Sequence, residues 1–232
     1  MRIRDMTWMQ VETYLKGDDR CVLPLGSTEQ HAYLSLATDA VLAERVAVDA
    51  AEPVEVPVFP ALAYGITPYF MAFPGTVTLT PETYERVLGE ILDSLASHGF
   101  KRILIVNGHG GNAGARPAVD LWAAAHPAVR VRWHDWWKAP RTLAAVRALD
   151  PDASHASWME SFSWTRIEGV QPPAGHKEPV DLSDREELSP ARFRERLGDG
   201  SFGGDYARPE RELLQVWGVA VEEVRERLGE GW

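Results

Sequence analysis

Apolar residues fall into two alternating periods through the first half of the chain. Residues 20–25 (RCVLPL) form a short apolar run stopped by Gly26, as in a buried strand. Residues 39–52 (DAVLAERVAVDAAE) carry Val41, Leu42, Val46 and Val48 at helical spacing among alanines and charges. Residues 54–60 return to a strand pattern, which Pro57 confines to an edge or an irregular stretch. Thr80-Pro81-Glu82 opens a helix: threonine can cap, proline fits the first turn, and Tyr84, Val87, Leu88, Ile91 and Leu95 make a stripe that Gly99 ends. Residues 101–106 (KRILIV) give the clearest strand, because 103–106 is a continuous apolar run suited to burial on both faces. Residues 129–133 read as another strand. From about 169 to 204, proline, glycine and charge mix without period, predicting loop with short helical pieces. Residues 209–228 close the chain as an amphipathic helix, with Leu213, Leu214, Val216, Trp217, Val221 and Val224 apolar. There are no repeats.

Helix after strand, several times over, predicts an α/β fold with a mostly parallel central sheet and helices on both sides. A chain of 232 residues, 45% of them hydrophobic, is enough for one substantial core, so residues 1–232 are expected to form a single domain. The net charge of -10 argues against a broad nucleic-acid or anionic-membrane surface. No apolar stretch approaches a membrane span, and no apolar region follows residues 1–5, so a cytoplasmic enzyme is expected. The one cysteine, Cys21, sits in an apolar run and reads as a small buried hydrophobe.

Ligands of open parallel sheets bind at the carboxyl ends of the strands, and chemistry-bearing residues fall there. Behind the first strand comes Gly26-Ser27-Thr28-Glu29-Gln30-His31, with Asp39 eight residues further on. Glu29 and His31 are two apart, so an extended segment would project both to one side. Asp39, where the next helix starts, could cap that helix or reach a metal. Behind the strongest strand stands Asn107-Gly108-His109-Gly110-Gly111-Asn112, which lacks the lysine of a phosphate-binding loop. Its glycines leave His109 little core to satisfy it, which favours a functional role over packing. The third piece is His155-Ala156-Ser157-Trp158-Met159-Glu160-Ser161, in a segment expected to begin a helix after Asp152. His155 and Glu160 could then face one pocket.

Together these supply two histidines and three carboxylates, with a histidine to spare. Imidazole and carboxylate suit zinc, manganese or another first-row ion. Five ligands exceed what one catalytic zinc takes and suit two ions with one carboxylate bridging. Water held between two such ions ionises near neutral pH, giving a nucleophile for a carbonyl carbon.

The motifs GSTEQH followed by TD, then FPGT (residues 73–76), NGHGGN and H-A-x-x-x-E-S resemble the creatininase, or creatinine amidohydrolase, family in content and order over residues 23–161. The resemblance implies a three-layer α/β/α fold, a dinuclear site of zinc or manganese (iron as a further option), hydrolysis of a C–N bond in a cyclic or linear amide, and a homo-oligomer, often a hexamer. It makes Glu29, His31, Asp39, His109 and Glu160 the ligands, with Asp39 bridging, and His155 the histidine that passes a proton to the leaving nitrogen. Gly110 and Gly111 amides are candidate oxyanion donors. Trp158, with Trp133, Trp136, Trp137 and Trp164, is a candidate pocket wall or simple packing. Three departures bear on the substrate. Residues 32–37 replace the usual stretch between EQH and TD, one residue short and without its histidine. Tyr69-Phe70-Met71 stands where a histidine often precedes FPGT, and Gly111 stands where creatininase itself is acidic. They touch the pocket rather than the five ligands, and they argue against creatinine. A deformylase, a small peptidase and a non-catalytic metal-binding subunit remain alternatives. His98, His126, His134 and His176 read as structural or surface groups, and residues 69–71 as a candidate interface.

Overall fold

The three strands β1 (Arg20–Leu25), β2 (Arg102–Asn107) and β3 (Arg130–Asp135) form a parallel sheet in that order, with Leu25 opposite Asn107 and Asn107 opposite Asp135. The structure, a computed structural model, describes residues 1–229 and 231–232. Around the sheet run α1 (Trp8–Tyr14), α2 (Thr38–Ala51), α3 (Pro81–His98), α4 (Arg116–Ala125), α5 (Pro140–Leu149), α6 (Pro190–Leu197) and α7 (Glu210–Gly229).

The period-2 geometry of β2 divides the core into two layers. Leu104 and Val106 project to one side, where Val22, Leu42, Val46, Trp136, Val146, Trp217 and Val224 from β1, α2, the 3-10 turn after β3, α5 and α7 bury them. Ile103 and Ile105 project to the other, against Cys21, Leu23, Tyr84, Leu88, Leu92 and Val119 from β1, α3 and α4. Helices therefore cover both faces, and each fully buried aliphatic side chain contributes about 1.5–3 kcal/mol. The helix from Pro81 forms as the pattern predicts: the Thr83 N–H donates to Thr80 Oγ1 at 3.3 Å, and Gly99 ends it at φ 103°. Cys21 is fully buried, and burial pushes its thiol well up, so it packs and does not react.

Residues 54–60 make only bridges beside β1, where Val22 N–H donates to Pro57 O at 3.0 Å and Phe59 N–H to Val22 O at 2.9 Å. Proline leaves this edge without a continuous ladder. The helix expected after Asp152 does not form. Residues 151–157 turn, and only Trp158–Glu160 winds, as 3-10 helix. Ala156 sits at φ 58°, and its N–H donates to Glu160 Oε2 at 2.6 Å, which folds the segment back on itself.

The aperiodic stretch has more order than the pattern shows. A two-residue ribbon pairs β4 (His176–Lys177) with β5 (Gly204–Asp205), and Ser189 caps α6. Lys177 Nζ donates to the Leu197 and Ser201 carbonyls, both at 2.8 Å. Phe193 and Leu197 of α6 bury Phe70 and Phe73 in a small separate cluster. Residues 69 and 70 thus face inward, while Met71 stays exposed, so the expected interface is mostly occupied by the chain itself. Among the described residues, no helix is long and apolar enough to cross a membrane.

Candidate metal centre

Adjacent strands β1 and β2 end level with each other, and the turns behind them carry the candidate ligands. Helix α2 starts directly over these ends. A Cβ on Gly108 would lie 2.6 Å from Asp39 O, so a glycine is needed for the first turn of α2 to come this close. Asp39 makes no cap: the N-cap of α2 is Ala37, without a side-chain bond. Its carboxylate turns to the strand ends instead. Oδ1 lies 2.9 Å from His31 Nε2, and Oδ2 lies 2.9 Å from His109 Nδ1 and accepts from Ser27 Oγ at 2.9 Å.

Glu29, His31, Asp39, His109 and Glu160 are all buried and converge. Their donor atoms form two triads, Glu29–Asp39–His109 and His31–Asp39–Glu160, with the atoms of each within 4.8 Å of one another. Asp39 belongs to both. Each histidine rests its remote nitrogen on a backbone carbonyl: His31 Nδ1 donates to Glu29 O at 3.2 Å, and His109 Nε2 donates to Ile66 O at 3.0 Å. That support fixes each ring so that the opposite nitrogen faces the carboxylates.

Burial favours neutral imidazole, yet Asp39, with Glu160 and Glu29 behind it, outweighs burial and raises His31 to about 10. Glu29 and Asp39 likewise hold His109 well above its ordinary value against burial. Burial lifts Asp39 too, but the two histidines pull it far below the usual carboxylate range. Glu160 is pushed to about 7 by burial, against the pull of His31. The buried carboxylates thus draw protons onto both rings. Glu29 Oε2 is buried with no hydrogen-bond partner, a cost that native structures rarely leave unexplained. A buried orphan oxygen, three carboxylates and two oriented imidazoles fit oxygen- and nitrogen-loving divalent ions.

His155 lies beside this group. Its Nδ1 is 3.9 Å from Glu29 Oε1, and its ring packs against His31 (4.4 Å), Phe70 (4.9 Å) and Phe202 (4.7 Å). Burial, reinforced by the positive His31, lowers its pKa well below the ordinary value. Glu29, His31 and His155 form a third compatible triad. Gly110 and Gly111 line a cavity of about 900 Å³ that opens onto Glu29, Asp39, His109, His155 and Glu160, with Tyr69, Phe70, Trp137 and Met159 among its walls. At Gly111 a Cβ would meet Ile66 O at 1.9 Å, so the carbonyl that supports His109 occupies the space a side chain would need. Trp158 takes another place than the cavity wall: it is fully buried in the core, and its indole N–H donates to Asp150 Oδ2 at 3.0 Å.

Several supporting residues carry no chemistry signal in the sequence beyond their place in a motif. Asn107 Nδ2 donates to His109 O and to Asp135 Oδ1, each at 2.8 Å, which holds the His109 turn on two strand ends. Asn112 Nδ2 donates to Gly26 O at 3.0 Å and ties that turn to the end of β1. Gln30 contacts His155 from behind. Elsewhere Asp150, Asp152 and His176 form a compatible group near the surface, where Asp150 is already occupied by N–H donors.

Comparison with known proteins agrees with the motif pattern. The family described as creatininase, creatinine amidohydrolase, matches residues 4–213. A creatinine amidohydrolase of Pseudomonas putida is 32% identical over 114 residues, covering 46% of this chain and 44% of that one. A mycofactocin precursor peptide peptidase of Mycolicibacterium smegmatis is 41% identical over 141 residues, covering 58% and 53%. The matched part thus spans about half the length of these curated relatives. A tryptophan-to-phenylalanine mutant creatininase superposes at TM-score 0.79 with 22% identity, covering 99% of both chains. A creatininase variant of the Zn-Zn type (TM-score 0.77, 21% identical, 99% and 98% covered) and a manganese creatininase (0.76, 22%, 99% and 99%) share the fold.

Proposed function

The chain belongs to the creatininase family, and on that premise we propose that it is an amidohydrolase working with two divalent ions, zinc or manganese, at the Asp39 cluster. The observation that carries this reading is Asp39 itself, one oxygen toward His31 and the other toward His109, as a carboxylate shared by two ions would stand. Glu29 and His109 would complete one ion's protein ligands, and His31 and Glu160 the other's. When bound, such ions supply Lewis acidity and a water that ionises near neutral pH.

The chain's own residues supply the rest. Tyr69, Phe70, Trp137 and Met159 wall the cavity with apolar surface that keeps bulk water from the scissile bond. Gly110 and Gly111 border the cavity, and their amides would serve charge developing on the carbonyl oxygen. His155, buried against Phe70 and Phe202, would give its ring N–H proton to the departing nitrogen while the proton released by the attacking water is returned to the ring. One water is consumed: its oxygen forms the new bond to carbon, the C–N bond breaks, and a proton ends on nitrogen.

A linear amide in a peptide-like chain is a second reading, favoured by the cavity of about 900 Å³, which has room for far more than a small lactam ring. The peptidase named among the relatives is consistent with it.

Elemental analysis of the purified protein, with a screen of cyclic amides, N-formyl compounds and short peptides, tests the reading. About two ions per chain, lost in Asp39→Asn together with turnover, is the expected result. A wild type that neither holds nor takes up zinc or manganese would refute it.

A further inference from the structure

His155 Nε2 meets two groups of a single residue, the backbone carbonyl of Gln30 at 3.1 Å and the side-chain Nε2 of Gln30 at 2.9 Å. These ask for opposite states of the ring: the carbonyl needs an N–H, the amide needs a lone pair. The amide is not free to turn over. Its Oε1 accepts from the Ala32 N–H at 3.0 Å, and its Nε2 donates to the Gly200 carbonyl at 3.0 Å. Reversal would set oxygen against oxygen and N–H against N–H in a side chain only 5% exposed, leaving each group buried and unpaired. The second amide proton therefore points at the ring.

We propose that Gln30 is a positioning residue that holds His155 in its Nδ1–H tautomer, with that N–H turned toward Glu29 and the cavity. Gln30 does not line the cavity, so it acts on the reaction only through His155. The proposal separates the two roles that geometry leaves open to His155. A ring protonated at Nδ1 has no lone pair there for a metal, so the Glu29–His31–His155 triad does not become a third ligand set. The same proton faces the place where a leaving nitrogen would form, a consequence that rests on the amidohydrolase reading. Gly200, in the turn after α6, completes the device. A Cβ there would lie 1.8 Å from Gln30 Oε1, so the amide keeps its place only while position 200 has no side chain.

Two-bond 1H–15N correlations of the imidazole rings in the zinc-loaded full chain read the tautomer directly, with the His155 signals assigned by their loss in His155→Gln. Wild type should give the Nδ1–H pattern. In Gln30→Met only the backbone carbonyl of residue 30 remains beside Nε2, and the pattern should invert to Nε2–H. Gly200→Ala, which leaves Gln30 in place but displaces its amide, should shift the pattern the same way. On any amide the wild type hydrolyses, kcat of Gln30→Met should fall on the order of 10²-fold with KM little changed. Inversion without any amide hydrolysis by the wild type would sustain the positioning role while removing the amidohydrolase reading. An Nε2–H pattern in wild type, or an unchanged Nδ1–H pattern in Gln30→Met, overturns the proposal.

Discussion

His31 and His109 each lean one ring nitrogen on a backbone carbonyl, so only the other nitrogen is available to the carboxylates. In the metal-free protein this makes stability depend on pH. The His31 pKa is raised from 6.5 to about 10, burial opposing and Asp39 prevailing, so its contribution is complete below about 6.5 and is lost as pH rises through about 10. Glu160, raised from 4.5 to about 7, acts in the same direction over a lower range. Thermal unfolding of chelator-treated protein should therefore show Tm falling as pH is taken from 6.5 toward 10. Bound zinc should flatten that fall, because ions replace the protons. An equal slope with and without zinc would show that the ions bind elsewhere. A companion measurement is calorimetric titration of zinc in buffers of different ionisation heat, which should reveal proton release on binding near pH 7. The five converging residues were legible in the sequence because their motifs resemble, in content and order, those of the creatininase family. The orphan oxygen of Glu29, the carbonyl supports and the Gln30 contact were not, since each depends on a partner that folding alone brings near.

At the scale of elements, α5 shows how a helix end can borrow its cap. Its N-cap, Ala139, offers no side chain, and Glu223 of α7 takes the role from across the core. Glu223 accepts from Arg141 N–H at 3.0 Å, Thr142 N–H at 2.8 Å and Thr142 Oγ1 at 2.7 Å. Burial raises its pKa, but these bonds outweigh it and leave the group below its ordinary 4.5. The stability it gives is present above about pH 4.5 and is lost on further acidification. Glu223→Ala should lower the unfolding free energy by about 1–3 kcal/mol in urea titration at pH 7, with little loss when both proteins are compared well below pH 4. A difference that persists undiminished in acid would assign the effect to packing. Local signals made other elements readable: Thr80 and Pro81 opened α3, and the continuous apolar run of β2 signalled burial on both faces. The sequence predicts a helix beginning after Asp152, because nothing in its composition shows that Glu160 draws back the Ala156 N–H.

For the whole molecule, the sheet and its helices provide rigid strand ends, and a second, smaller body of apolar side chains closes the site from above. Phe193 packs against Tyr69 at 5.5 Å and Phe70 at 5.6 Å, and Phe70 in turn stacks on His155 at 4.9 Å. This cluster is separate from the two cores that hold the sheet. It escaped the periodicity because its members come from segments more than a hundred residues apart, none with a helical or strand stripe of its own beyond α6. Separate packing predicts separate opening. Phe193→Ala removes a buried ring of the kind whose loss costs about 3–5 kcal/mol in a tightly packed core. Here that loss should fall on the closing cluster. Amide hydrogen exchange of residues 190–205 should accelerate, while β2 keeps its protection and the metal content stays at the wild-type level. Turnover should drop, because a loosened Phe70 no longer keeps water from the His155 ring. Equal acceleration in β2 would mean that the closing cluster and the sheet unfold as one unit, and the two-body description would have to be given up.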